Sequence, residues 1–526
     1  MINVGRIGCR AINHPRSGKT SKVANMRRQF TSLILGIGIL AYCSSIFAQT
    51  TMPTSYNPEN KISRAQLQKE LLAFRKCLEE AQASLYRYAD KKIMDRRFDA
   101  AFAAINRDMT EREYYQILTQ ILSKIGDGHG AAFLTRDFRN YINQSAKLFP
   151  LKLRFISGKA YVLTSPLQTV PTGLEIRAVN GRPMSKIIQQ LFVHLTSDGA
   201  IESGKFWKLN GQFGLYYYLF IEQPAKFRLD CYDQTTKARK TIEVPAMTQS
   251  EQKERINEKA GTTSKVDKKP LRFELLALPN TALLTIETFD DGAMEKAGQN
   301  FSQFLKTTFQ ELAEKKIQDL IIDLRSNDGG ANLGPVLFSY LTDKEFRFVD
   351  RIEASTDKPS FILNYTQLSA DFLKGFASSL MSDNKGRYKV KVESEPTLAP
   401  QKPQADAYRN QVWFIINGET FSSTAMFCDI ARSQRRGSFV GEETGGDYFG
   451  NSAGEFVVIT LPETKIKVIV ALEEYWMAVS AVPKLGRGVI PDYPAQPNIK
   501  DILEGRDTEL NYTLGLIEKK RQRKRI

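Results

Sequence analysis

V-W-F-I-I-N-G-E-T-F-S-S-T-A, Val412–Ala425, reads as a buried strand that breaks into a turn and opens a helix. Val412–Ile416 is apolar throughout, as in a strand covered on both faces. Asn417 and Gly418 interrupt it, and Thr424–Arg432 has helical composition. Ser422 therefore falls on a strand-to-helix turn, where backbone N–H groups converge and the helix dipole favours negative charge. A serine nucleophile and its oxyanion need such a place. A second glycine-rich turn, D-L-R-S-N-D-G-G at Asp323–Gly330, follows the apolar Leu320–Ile322. Two turns of this kind can close on one carbonyl, which points to a hydrolase.

Outward from these turns, strands alternate with helices. Ala282–Ile286 is a short strand, and Phe301, Phe304, Leu305, Phe309 and Leu312 mark a helix. The alternation predicts an α/β core over 271–500 within a chain that is α+β overall. Residues 343–408 look polar and irregular, either a lid that shapes the site or a surface excursion. Residues 148–250 read as β-rich: Leu151–Phe155 and Phe227–Cys231 alternate, with a short helix at Ser185–Leu191 between them. Residues 247–270 read as a linker or exposed loop. Residues 60–145 form a helical domain, with capping-box spacing at Ser63/Gln66 and Thr110/Glu113. Leu67, Leu71, Phe74 and Leu78 repeat at helical intervals, and Gly126-Asp127-Gly128-His129-Gly130 closes the last clear helix.

The chain has 526 residues and a formal net charge of +16. Length alone suggests about three domains. The charge sits at the two ends. Residues 1–48 hold seven Lys/Arg and no acid, and the tail Lys519–Arg525 within 501–526 holds six. The remaining +3 gives the body no basic stripe for nucleic acid. Met26-Arg27-Arg28 precedes an apolar run from Leu33 to Ala48, shorter than the roughly 20 residues of a membrane span. Residues 1–48 read as a leader and signal peptide cleaved after Ala48, starting at Met1 or Met26; an uncleaved anchor is the alternative. No membrane span is expected in the mature chain, which is placed outside the cytoplasm, in a bacterial periplasm or cell envelope. Cys77, Cys231 and Cys428 are odd in number and widely spaced, so neither a disulfide framework nor a zinc site is indicated. Neither a metal nor an organic cofactor is expected.

Five elements occur in a telling order: D-G-H at Asp127–His129, I-x-x-V-N-G at Ile176–Gly181, L-I-I-D-L-R-S-N-D-G-G, N-G-E-T-F-S-S-T-A and V-G-E-E-T-G-G, with G-V-I-P-D at Gly488–Asp492 closing the chain. Together they resemble the tail-specific, C-terminal processing serine peptidases, in their tricorn-like and retinoid-binding-protein-like branch. The resemblance runs from about 60 to 500. It implies a crotonase/ClpP-like serine peptidase core, a PDZ-like β module that presents a peptide to the site, and a polypeptide substrate. For 148–250, a β-domain that only spaces its neighbours competes with the PDZ-like reading.

Ser422 needs a base, oxyanion donors and a groove. Gly329, Gly330 and the N–H of Ser423 are the candidate donors. An ordinary N-cap is the competing role for Ser422, and Ser423 is a rival nucleophile; the family pattern puts the nucleophile directly after T-F. The Ser/Lys branch carries a lysine at the position near Asp447, and no lysine lies between Ser422 and Lys465. His129 is then the candidate base, and His194, among apolar residues, reads as structural. Two departures stand out. The tricorn-like Ser before the His is Gly128, and the Glu expected before G-V-x-P-D falls near Leu485. Asp127, Glu442, Glu473 and Glu474 stay open as the orienting acid. The reading is an exported serine-type endopeptidase. The alternative is a catalytically weak or inactive peptide- or ligand-binding protein on the same scaffold. An esterase would share the site, but the G-x-S-x-G elbow is absent. Oligomeric state is not legible.

Overall fold

The computed structural model describes residues 56–260, 269–480 and 484–525. The leader, signal-peptide and start-site readings fall outside the described residues, as does 261–268 of the expected linker.

Four helices open the fold: α1 (Arg64–Ala81), α2 (Lys91–Ala104), α3 (Glu111–Ile125) and α4 (Arg136–Gln144). Each begins at a side-chain cap, Ser63, Asp90, Thr110 and Thr135 respectively; Thr110 and Glu113 complete a capping box. Such a cap stabilises by about 1 kcal/mol. Burying one leucine contributes about 1.5–3 kcal/mol. Leu67, Leu71, Phe74 and Leu78 of α1 and Tyr114, Leu118 and Ile121 of α3 all enter the core cluster that holds Leu320, Ile322 and Phe414. Packing on the α/β core, more than capping, therefore fixes this region. Polar contacts sew the seam: buried Glu70 accepts from Thr464 N (2.9 Å) and Thr464 Oγ1 (2.7 Å).

Next come strands β1 (Lys152–Ile156), β2 (Lys159–Thr164) and β3 (Glu175–Val179), helices α5 (Met184–Phe192) and α6 (Ser203–Phe220), and strands β4 (Lys226–Tyr232) and β5 (Arg239–Pro245). The strands form one antiparallel sheet in chain order, over a core of their own. The 18-residue α6 was not expected from a β-rich reading. Its three glycines and its Tyr216–Phe220 run disfavour an isolated helix. Tertiary contact overrides this: a Cβ at Gly214 would lie 2.7 Å from Phe149 O, so the helix approaches where only glycine fits. Part of the expected linker is also helical, α7 (Gln249–Ala260), opened by Thr248, whose Oγ1 accepts from Glu251 N.

The core follows with β6 (Leu271–Leu275), β7 (Thr281–Ile286), α8 (Phe301–Glu314), β8 (Asp319–Asp323), β9 (Val349–Ala354), α9 (Ala370–Ser379), β10 (Leu380–Ser382), β11 (Tyr388–Val390), β12 (Gln411–Ile416), α10 (Ser422–Ser433), β13 (Ser438–Gly441), β14 (Phe456–Thr460), β15 (Lys467–Ala471), β16 (Glu474–Met477), β17 (Tyr493–Pro494) and α11 (Thr508–Arg525). The main sheet runs β6-β7-β8-β12-β13-β17, parallel from β7 onward. Residues 343–408 are not irregular: a four-stranded sheet runs β10-β11-β9-β16. Their elements are too short for a periodic signal, yet Phe376, Leu380 and Val390 are buried in the main core. The basic end is the helix α11, whose Ile517 packs with Ile321, Trp413, Ile415 and Val440. Among the described residues no helix is long and apolar enough to cross a membrane.

Candidate active site

Strands β8 and β12 are parallel neighbours, with Asp323 paired to Ile415. The Asp323–Gly330 and Asn417–Ser422 turns therefore leave the same edge of the sheet side by side, at the carboxyl ends where α/β sheets place ligands. Asn327 fastens them. Its Oδ1 accepts from Gly329 N (3.0 Å) and Thr424 Oγ1 (2.6 Å), and its Nδ2 donates to Ile286 O (3.2 Å).

Ser422 is the first residue of α10, and the N-cap is Phe421, which makes no side-chain cap. The N-cap role considered for Ser422 is therefore overturned. Its φ is 52°, in the left-handed region that a non-glycine residue enters at a cost of about 1–2 kcal/mol. Its Oγ lies 3.0 Å from Nε2 of His129, 293 positions earlier. A Cβ on Gly329 would stand 2.7 Å from Ser422 Cβ, so the turn reaches the serine only as glycine.

The proposed donors divide. The Gly329 N–H is committed to Asn327, which removes it as an oxyanion donor. The N–H groups of Gly330 and Ser423 have no partner among the described residues. Ser423 Oγ donates to Gly330 O at 3.3 Å, tying the helix start to the glycine turn and leaving the Ser422 hydroxyl as the one on histidine.

His129 is delivered by the turn after α3, which ends on left-handed Gly126. Its ring stacks obliquely on Phe421 (4.6 Å) and Phe456 (5.4 Å). Burial pushes its pKa down to about 4, with the Asp127 charge opposing and the Lys208 charge adding. The imidazole is thus neutral near pH 7. Its Nδ1 makes no hydrogen bond, and Asp127 Oδ1 lies 3.9 Å away. Asp127 is the expected acid that stands beside this ring. Its Oδ1 accepts from His129 N (2.9 Å), and its Oδ2 accepts from Gln82, Ser84 and Ser452.

The other acids point elsewhere. Glu442 accepts from Gln496, so it does not orient His129. Glu474 pairs with Arg87 (2.9 Å) and Arg387 (3.0 Å), and Glu473 packs on Gly454. Asp447, where the related branch has its lysine, accepts from Tyr88 OH (2.7 Å) and Gly486 N (2.8 Å). His194 contacts Thr119 Oγ1 at 3.0 Å and stacks on Phe220, away from the serine.

Sequence reading missed Asp198 and Lys208, both from the β module. Asp198 accepts from Gly128 N (2.7 Å) and Asp447 N (3.2 Å), joining the histidine turn to the far side of the core. Burial and then the Asp127 charge raise it to about 7. Lys208 donates to Thr196 O and Oγ1 (2.7 and 3.0 Å), and burial lowers it to about 8. The S-D-G turn around Asp198 was the only local signal. A Cβ on Gly128 would meet the Phe421 ring at 2.8 Å and Asp198 Oδ1 at 2.9 Å, which explains the glycine where the related pattern has serine. Cys77, Cys231 and Cys428 are buried free thiols, and no group of three or more His, Cys, Asp or Glu among the described residues is arranged to hold a metal.

Residues 280–494 match the profile of peptidase family S41, and they contain both turns. The match covers less than half of the chain. Among solved structures, it is similar to mature CPAF (TM-score 0.57, 13% identity, 84% of this chain and 94% of that one). The complex of mature CPAF with lactacystin is alike (TM-score 0.56, 14% identity, 84% and 95%). The photosystem II D1 C-terminal processing protease overlaps at a TM-score of 0.36, with 15% identity over 82% of this chain and 93% of that one. At these identities the CPAF likeness speaks for the fold alone, and the D1 protease overlap is too loose to argue from. No curated protein sequence matches the chain. The matched segment resembles a peptidase domain. It holds Ser422, Gly329 and Gly330, whereas His129 lies outside the matched segment, in the helical region packed against it.

Proposed function

We propose that the protein is an exported serine-type endopeptidase in which Ser422 attacks a peptide carbonyl and His129 takes and returns the proton. The observation that carries this reading is the 3.0 Å contact between Ser422 Oγ and His129 Nε2. The neutral imidazole accepts at Nε2 when its proton sits on Nδ1. The N–H groups of Gly330 and Ser423 hold the developing oxyanion, each worth roughly 3–4 kcal/mol in the transition state. His129 then protonates the leaving amine, and water repeats the cycle on the acyl-enzyme. Asp127 is the orienting acid; closing its 3.9 Å separation from Nδ1 by about 1 Å makes the bond. Catalytic contacts are often long before substrate binds. The β module acts as a PDZ-like presenter of the peptide. Export rests on residues 1–48.

The unpartnered Nδ1 favours one other reading, a peptide-binding protein that turns over slowly or not at all. A fluorophosphonate probe separates the two. The endopeptidase labels at Ser422, and labelling is lost in Ser422→Ala and falls roughly 10²–10⁴-fold in His129→Ala. A folded chain that binds peptide but never labels would rule out the hydrolase.

A further inference from the structure

At the opposite edge of the main sheet, where β8, β12 and β13 begin, lies a polar cleft of about 1210 Å³. It is remote from Ser422, which sits at the other ends of these strands. Six cations line it, Lys316, Arg409, Arg435, Arg436, Lys520 and Arg521, against the carboxylates Asp319 and Asp406. Arg521 is held by Asp319 at 2.7 Å, and Arg436 donates to the carbonyls of Leu341 and Tyr408. Lys316, Arg409 and Arg435 pair with no carboxylate among the described residues. Their positive charge faces the cleft unanswered.

Two of these cations sit where the backbone resists them. Lys316 follows the end of α8 and Arg435 the end of α10, with φ of 53° and 52°. Both ends are Schellman turns: Ile317 N donates to Leu312 O, and Arg436 N to Ala431 O. The left-handed position in such a turn belongs to glycine or asparagine. Helix dipoles do not require a cation there, because Lys315 and Arg432 already sit at these two helix ends. Backbone strain repeated under cations at both rims of one cleft points to use.

We propose that this cleft binds a multiply charged phosphate compound. The arginine forks of Arg409 and Arg435 match phosphate oxygens in pairs. The cleft exceeds the usual span of small-ligand sites, which fits several linked phosphates or a phosphorylated headgroup. The site is separate from peptide hydrolysis.

Titration calorimetry of the full chain with tripolyphosphate at low salt tests it, beside cosedimentation with vesicles containing cardiolipin, whose headgroup links two phosphates. The expected result is saturable binding that weakens at least tenfold in R409E/R435E, with fluorophosphonate labelling of Ser422 unchanged. Arg435→Gly guards against a misfolded variant: it melts at a higher temperature than the parent yet binds tripolyphosphate more weakly. Vesicle binding lost in R409E/R435E makes a lipid headgroup the source; tripolyphosphate binding alone makes it a soluble oligophosphate. No saturable binding, or equal binding by parent and R409E/R435E, overturns the proposal, since the basic leader would then account for any attraction.

Discussion

The imidazole of His129 is poised by its surroundings more than by a partner. Burial lowers its pKa to about 4, so it stays a neutral base well below the ordinary value near 6.5. Protonation removes the base, so kcat/KM should hold from neutral pH downward and fall only as pH approaches about 4. A pH–rate profile with an acid limb near 6.5 would contradict that burial. Asp127 opposes the shift, so Asp127→Asn moves the limb lower still. It also frees the tautomer, and kcat should drop by up to roughly 10⁴-fold. Gly128→Ser restores the residue of the tricorn-like pattern, but its Cβ would strike Phe421 and Asp198. Overpacking of this kind costs about 1–3 kcal/mol, readable as a shift in urea midpoint.

At the scale of elements, the two turns are one unit held by Asn327. Asn327→Ala leaves the Gly329 N–H and the Thr424 hydroxyl without their acceptor inside the core. The expected loss is about 2–4 kcal/mol of stability. Denaturant unfolding measures it, and kcat should fall with little change in KM, because Asn327 holds the turn that places the Gly330 N–H, a donor proposed to serve the transition state. Elements with continuous apolar runs or clear caps, such as β8, β12, α1 and α3, were legible in the sequence. Their pattern is set by neighbours along the chain. The helix α6 and the sheet of β9, β10, β11 and β16 were not, because distant contacts decide them: Phe149 against Gly214, and Glu353 opposite Glu474. The site followed the same rule. Ser422, Gly330 and His129 carry turn signals, whereas Asp198 and Lys208 act through a fold that brings 198 beside 128 and 447.

Across the whole molecule, the histidine depends on a seam between the helical region and the core. Arg87 and Glu474 meet in it with side chains only 1% exposed. Arg87→Ala strands a buried carboxylate, which commonly costs about 3–5 kcal/mol; Arg387 still reaches Glu474, so the lower end is expected. Activity should then vanish at lower denaturant than sheet structure does, followed by kinetics and circular dichroism in parallel. The distance along the chain between the proposed base and nucleophile also sets an order of events in synthesis. His129 leaves the ribosome first and waits while almost 300 more residues are made. On the proposed mechanism, a growing chain, or one that stops before Ser422, holds the base without its nucleophile.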